Sequence, residues 1–251
     1  MHDFSEYGNA IQGITEITPD VFVLDVLTCT IAANLACTPG TVTTWIVDFC
    51  HKNSQHKSPA VHQITSFPEA GFLNGMAALD STTVLIADSF LGGIWSLNIQ
   101  TGSKKLLFTD DSLNGTATIA TGVNGIRVRP GLLYFTNSAK GTFNRIPMNQ
   151  KTGQKVGKVH TIASGLVGPD DSEIDDAAGI AYVCNGAVDE ILRVSLQGGE
   201  KHVVITIPGP TSVRWASHHA GKVAYVSDVG GLAQYVAHNV TLGGAIYRLD
   251  L

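Results

Sequence analysis

The sequence predicts an all-β fold of the β-propeller type. Three observations predict it: a phrase that recurs five times, apolar β-branched strands within each recurrence, and small, glycine-rich turns between them. Four copies open at Asn74-Gly75-Met76, Asn124-Gly125-Ile126, Asp171-Ser172-Glu173 and Thr211-Ser212-Val213. Counting a fifth copy that begins at Gly13, the starts at 13, 74, 124, 171 and 211 lie 61, 50, 47 and 40 residues apart. A period of that size, built from short strands, marks a radial array of small sheets that cannot bury both faces alone and therefore pack around an axis.

Taken in chain order, the earliest copy is GITEITPDVFVLD (13–25), followed after an insertion by TTWIVDF (43–49). In the later copies the second strands read VLIADS (84–89), LYFTNS (133–138), AYVCNG (181–186) and AYVSDV (224–229), each apolar and closed by polar residues. Third strands follow in IWSLNIQTG, FNRIPMNQKTG, ILRVSLQGG and AIYRLDL. Blades are thus expected near 13–49, 61–102, 124–153, 171–199 and 211–251 of a single domain spanning 1–251. Five units are visible, and the last strand completes its own repeat. The expectation is therefore a six-bladed type lacking its N-terminal blade, whose open blade edges would favour self-association.

Composition fits a globular chain: 251 residues, 44% hydrophobic, 15% charged, with 27 glycines. The net charge of −5, without a basic cluster on any strand, argues against a nucleic-acid partner. No apolar run reaches the roughly 20 residues of a membrane span, and the first residues show no signal-peptide pattern. Cys29 and Cys37, in the small-residue insertion, are spaced to staple a loop, whereas Cys50 and Cys184 are expected as buried thiols. With the sequons at Asn114 and Asn239, both in expected loops, the Cys29–Cys37 pair points toward the secretory pathway.

Polar residues that recur at the opening of an inner strand converge at the axis of a propeller. Here those are Glu16, Asn74, Asn124, Asp170 or Asp171, and Thr211 with Ser212. Their oxygens suit a hard cation such as calcium, although Asn-Gly and Asp-Asp also form turns. Phe72, Leu73 and Phe90, with the polar strand-end residues Asp88, Asn137 and Asp228, are candidate walls and contacts for a small hydrophobic, oxygenated metabolite. Trp215 and Tyr235 are further aromatic candidates near loop tips. The histidines, His51, His56, His62, His218 and His219 among them, read as solvated loop residues rather than general bases.

The phrases NGM, ADSFLGGIWSL, NGIRV, LYFTNSAKGTFNRIPM, GPDDSEID and AYVCNGAVDEILRV resemble the gluconolactonase/regucalcin-like (senescence-marker-protein-like) six-bladed propellers in their fungal form. The resemblance runs from Gly13 to Leu251. It implies a metal held by a first-blade acid, two asparagines and an aspartate, with Asn74, Asn124 and Asp170 matching the last three. The first-blade acid has no counterpart, since Glu16 belongs to the next blade; three ligands alone would leave the cation open to solvent.

The resembling fungal branch includes lactone hydrolases and hetero-Diels–Alder cyclases of tropolone-sesquiterpenoid biosynthesis. The leading expectation is a cyclase that joins a quinone-methide-type diene to a terpene alkene, requiring no cofactor, with Asn74, Asn124, Thr211 and Ser212 as hydrogen-bond donors. A calcium-dependent lactonase is the alternative. A non-catalytic binding propeller is the third.

Overall fold

The structure, a computed structural model, describes residues 2–30, 36–50, 58–216, 223–230 and 243–251. Its strands form five antiparallel meanders arranged as the blades of a propeller. Blade one contains β1 (Ala10–Thr18), β2 (Val21–Leu27), β5 (Thr43–Asp48) and β6 (Ala60–Ser66), with the small hairpin β3 (Cys29–Thr30) and β4 (Ala36–Cys37) inserted before β5. Blade two contains β7 (Leu73–Ala78), β8 (Thr83–Asp88), β9 (Gly93–Asn98) and β10 (Lys104–Thr109). Blade three contains β11 (Val123–Arg129), β12 (Leu132–Asn137), β13 (Thr142–Pro147) and β14 (His160–Ser164). Blade four contains β15 (Pro169–Asp175), β16 (Ile180–Asn185), β17 (Glu190–Ser195) and β18 (Lys201–Thr206). Blade five has three strands among the described residues: β19 (Pro210–Trp215), β20 (Val223–Asp228) and β21 (Ile246–Asp250).

Alternation along each middle strand serves two interfaces at once, because successive side chains leave a strand on opposite faces. On β8, Val84 and Ile86 join the core shared with blade one, whereas Leu85 and Ala87 join the core shared with blade three. Further cores join blades three and four around Phe143 and Val183, and blades four and five around Cys184 and Val226. This double burial is why the second strands read as unbroken apolar runs. The outer face of blade one is covered by the chain's own start, where Tyr7 and Phe4 lie 4.4 and 5.4 Å from the Trp45 ring.

Two details of the expected blade boundaries change. Ala60–Ser66 hydrogen-bonds to β5 and is the outermost strand of blade one, not the start of the second unit. The outer strands β10, β14 and β18 also escaped the repeat phrase. β18 is exposed throughout, β10 is mostly half-buried and β14 mixes exposed with buried residues, so no regular burial alternation marks them.

The innermost strands β1, β7, β11, β15 and β19 pack side by side in that order, whereas among the described residues no contact of comparable extent joins β19 back to β1. Apolar side chains are left exposed near that opening, with Ile11 and Ile14 on β1 each 53% exposed and Ile246 on β21 77% exposed. Cys29 and Cys37 form a disulfide across the β3–β4 hairpin, consistent with an oxidising compartment. Cys184 is buried, as its strand position implies. Cys50 departs from expectation: it is exposed, and its thiol donates to the Pro19 carbonyl at 3.2 Å. No helix among the described residues is long and apolar enough to cross a membrane. Asn114 lies exposed at the end of a short 3-10 turn, whereas Asn239, Tyr235, His51, His56, His218 and His219 lie outside the described residues.

Candidate functional site at the axial mouth

Every inner strand carries a bulge near its start, and these bulges fix which residues are equivalent. The irregularity falls between Ile11 and Ile14, Leu73 and Met76, Val123 and Ile126, Pro169 and Ser172, and Pro210 and Ser212. The residue after each bulge start is therefore Gln12, Asn74, Asn124, Asp170 and Thr211 in turn. Two expectations shift accordingly. In blade four the repeat opens at Asp170, one residue before the expected Asp171. In blade one the equivalent residue is Gln12; Glu16 lies farther along β1, exposed, with its carboxylate accepting from the Asp20 N–H at 2.9 Å.

The next position explains the Asn-Gly pairs. A Cβ on Gly75 would fall within 2.7 Å of the Gly125 Cα and closer still to the Asn124 carbonyl oxygen. One on Gly125 would strike the Asp171 carboxylate, and one on Gly13 the Asn74 carbonyl oxygen. These glycines lie within strands and form no turn. They let neighbouring inner strands touch at the axis, where any side chain would be too large.

At the mouth, amides and hydroxyls pair within blades and then reach the next blade. Asn74 Nδ2 donates to Ser89 Oγ at 3.2 Å, and Ser89 Oγ donates to the Val123 carbonyl at 2.5 Å. Asn124 Nδ2 donates to Ser138 Oγ at 3.0 Å, and Ser138 Oγ donates to the Pro169 carbonyl at 2.7 Å. Thr211 and Ser227 hydroxyls lie 3.3 Å apart. Asp170 is half-buried beside Asn124; burial first, then the neighbouring Asp171 charge, push its carboxyl up to about 8, against the pull of the Asn124 amide. Ser212 Oγ donates to Asp171 Oδ2 at 3.0 Å, and Arg127 of blade three binds the same oxygen. The chain thus brings Asn74, Asn124, Asp170, Thr211 and Ser212 into one arc.

The other predicted contacts are used by the blades themselves. Phe72 and Leu73 sit in the core between blades one and two, with Leu73 wholly buried. Phe90 packs on Phe72 with ring centroids 5.1 Å apart. The Asp88 carboxylate accepts from the N–H groups of Gly71, Phe72 and Leu91 and from the Trp95 indole. Asn137 donates to the carbonyls of Ser112 and Asn114 and accepts from the Lys140 N–H. Asp228 accepts from the N–H groups of Gly230 and Ala245. The polar residue that closes each second strand therefore ties down loops, which a buried carboxylate or amide does by satisfying several backbone donors at once. His62 is exposed on β6, a strand rather than a loop.

The residues present fit a hard cation in chemistry more than in number. Asn74, Asn124 and Asp170 offer one carboxylate and two amides, whereas calcium takes about six to eight oxygens. Among the described residues, no three His, Cys, Asp or Glu side chains stand close enough to hold a metal ion together. Arg127, Ser89 and Ser138 were missed from sequence. The arginine was legible as a charge inside the apolar strand phrase NGIRV, and each serine follows the polar strand-closing residue.

No family model matches the chain. A Sarocladium schorii protein named "Putative hetero-Diels-Alderase asR5" is 27% identical over 169 residues, which cover 59% of this chain and 41% of that protein. The chain thus spans well under half the length of the curated relative it matches. Among solved structures, a chain of the nidogen/laminin complex superposes with a TM-score of 0.66 at 15% identity, covering 96% of this chain and 76% of that one. Luciferin-regenerating enzyme superposes with a TM-score of 0.66 at 16% identity, covering 97% of this chain and 78% of that one. These two likenesses establish the propeller fold.

Proposed function

We propose that the chain is a hetero-Diels–Alder cyclase that joins a quinone-methide-type diene to a terpene alkene at the axial mouth. The observation that carries this reading is the arc of neutral amide and hydroxyl groups at the inner-strand openings, Asn74, Asn124 and Thr211, with Ser212 beside them holding its proton on Asp171. Its similarity to the Sarocladium schorii protein supports it. The bond-forming step transfers no proton. The protein's part is to hold two partners in register and to donate hydrogen bonds to the diene oxygen as negative charge develops on it.

The test supplies a quinone-methide precursor and a terpene alkene and measures rate and enantiomeric excess of the adduct. The reading expects an enantioenriched product formed above the uncatalysed rate. A racemic adduct at the background rate would overturn it.

The contact of Asn124 with Asp170 favours a second reading, lactone hydrolysis. There Asn74, Asn124 and Asp170 would hold a calcium ion, which would polarise a lactone carbonyl as a Lewis acid. Asp170→Ala separates the two readings: it should abolish hydrolysis and leave cycloaddition largely intact.

A further inference from the structure

Beyond the mouth, the other end of the inner strands lines a half-open cavity of about 430 Å³. Three guanidinium groups line it, Arg127 and Arg129 from β11 and Arg214 from β19, together with Glu173, Phe22 and Trp215. Their pairing is uneven. Arg127 spends Nη1 on the Ile126 carbonyl at 2.7 Å and Nη2 on Asp171 and the Val213 carbonyl, and Arg129 binds Glu173 at 2.9 Å and Asp176 at 2.7 Å. Glu173 is heavily shared: its Oε1 also accepts from the Ile174 N–H, and its Oε2 lies 3.7 Å from Arg127 Nε and 3.4 Å from Arg214 Nη1.

Two donors are left poorly served. Among the described residues Arg127 Nε has no hydrogen-bond partner, and its side chain is only 3% exposed. Arg214, with 40% of its side chain exposed, has that single long contact to Glu173 among the described residues. Burial, and then repulsion from Arg127, lower the Arg214 pKa below the ordinary guanidinium range. An uncompensated buried donor and an underpaired cation on one cavity are what an added anion would relieve. Glu16, the other acid on the cavity, is held at the Asp20 turn.

The walls give the rest of the ligand's character. The Trp215 indole N–H is spent on the Ile174 carbonyl at 3.0 Å, and its ring meets Tyr182 edge-on at 5.5 Å. With its polar edge satisfied and its plane fixed, Trp215 offers the cavity an apolar surface, as does Phe22 across the opening. We infer that this cavity binds a small organic carboxylate with a flat apolar body, its carboxylate bridging Arg214 and the Nε edge of Arg127. A guanidinium fork matches carboxylate geometry and strengthens in a partly dry site. This site lies toward the opposite end of the inner strands from Asn74, Asn124 and Thr211, with Arg127 meeting Ser212 only through the shared Asp171 carboxylate, and the inference does not depend on the cyclase reading.

Isothermal titration of the whole chain with 2-naphthoate and with its uncharged amide, 2-naphthamide, tests the inference. The carboxylate should bind about tenfold or more tightly than the amide, and its affinity should fall as salt is raised. Arg214→Gln should weaken naphthoate binding by about tenfold or more, whereas Asn74→Ala, at the mouth, should leave it unchanged. Should the glutamine variant not fold, Arg214→Lys keeps the charge without the fork and should weaken binding by a smaller factor. Equal binding of acid and amide, no heat from naphthoate at millimolar concentration, or a loss in Asn74→Ala matching that at Arg214 would each overturn the proposal.

Discussion

Asp25 offers the sharpest test of how this fold treats a buried charge. It lies on β2 between Val23 and Leu27, on the face that packs against blade two, and is fully buried. Thr44 Oγ1 donates to its Oδ1 at 2.5 Å, but its Oδ2 has no partner. Burial raises its pKa from 3.8 to about 7, opposed by the threonine hydrogen bond. The sign follows from proton counting. Between the unfolded and folded pKa values the native state holds the extra proton, so stability falls as pH rises from about 4 to about 7 and is level above that. About three pH units at 1.36 kcal/mol each amount to about 4 kcal/mol.

Asp25→Asn keeps the shape and the threonine contact but cannot ionise. Relative to the parent it should therefore gain about 4 kcal/mol of stability between pH 4 and pH 8. Urea denaturation followed by tryptophan fluorescence at both pH values measures this as a difference of differences, which cancels the titration of every other group. A stability difference between the two proteins that does not change with pH would refute the reasoning.

Gly125→Ala should destabilise by about 1–3 kcal/mol or more in the same assay, because its Cβ would collide with Asp171 on the next blade. Gly40→Ala, whose Cβ meets no atom of the described residues within 4 Å and which bears the strain of φ +78°, should cost about 1 kcal/mol. Arg127→Met should cost about 3–5 kcal/mol, since it strands the Asp171 carboxylate in the interior; adding Asp171→Gly, the residue found at this position in blades two and three, should recover part of that loss. Replacing Cys29 and Cys37 by serine, which opens a loop of sequence separation 8, should lower stability by about 2.5 kcal/mol in calorimetry.

The repeat was legible because each middle strand must be apolar on both faces and each inner strand must open with a polar residue at the axis. Asn74, Asn124 and Thr211 could be named from that pattern alone. Asp170 could be narrowed to a choice between two aspartates. The Cys29–Cys37 pair followed from two cysteines standing close together in one small-residue insertion; the hairpin that joins them came from the structure.

What these residues do was decided by tertiary structure. A carboxylate that ends a strand, such as Asp88 or Asp228, looks the same in sequence whether it meets a ligand or two or three backbone N–H groups; only the path of the neighbouring loop chooses. A bulge moves the register by one residue without altering composition, so strand pairing puts Asp170, the aspartate that the family resemblance matches, and not Asp171 at the repeat position, and puts Gln12 there in place of Glu16. The far cavity has the same origin, since Arg127 and Arg214 stand 87 positions apart and share Glu173 only because their inner strands flank one axis. Sequence determined the blade, because burial alternation and turn chemistry act over a few residues. The ring, with its two unlike ends, came from contacts between distant strands, which local pattern does not encode.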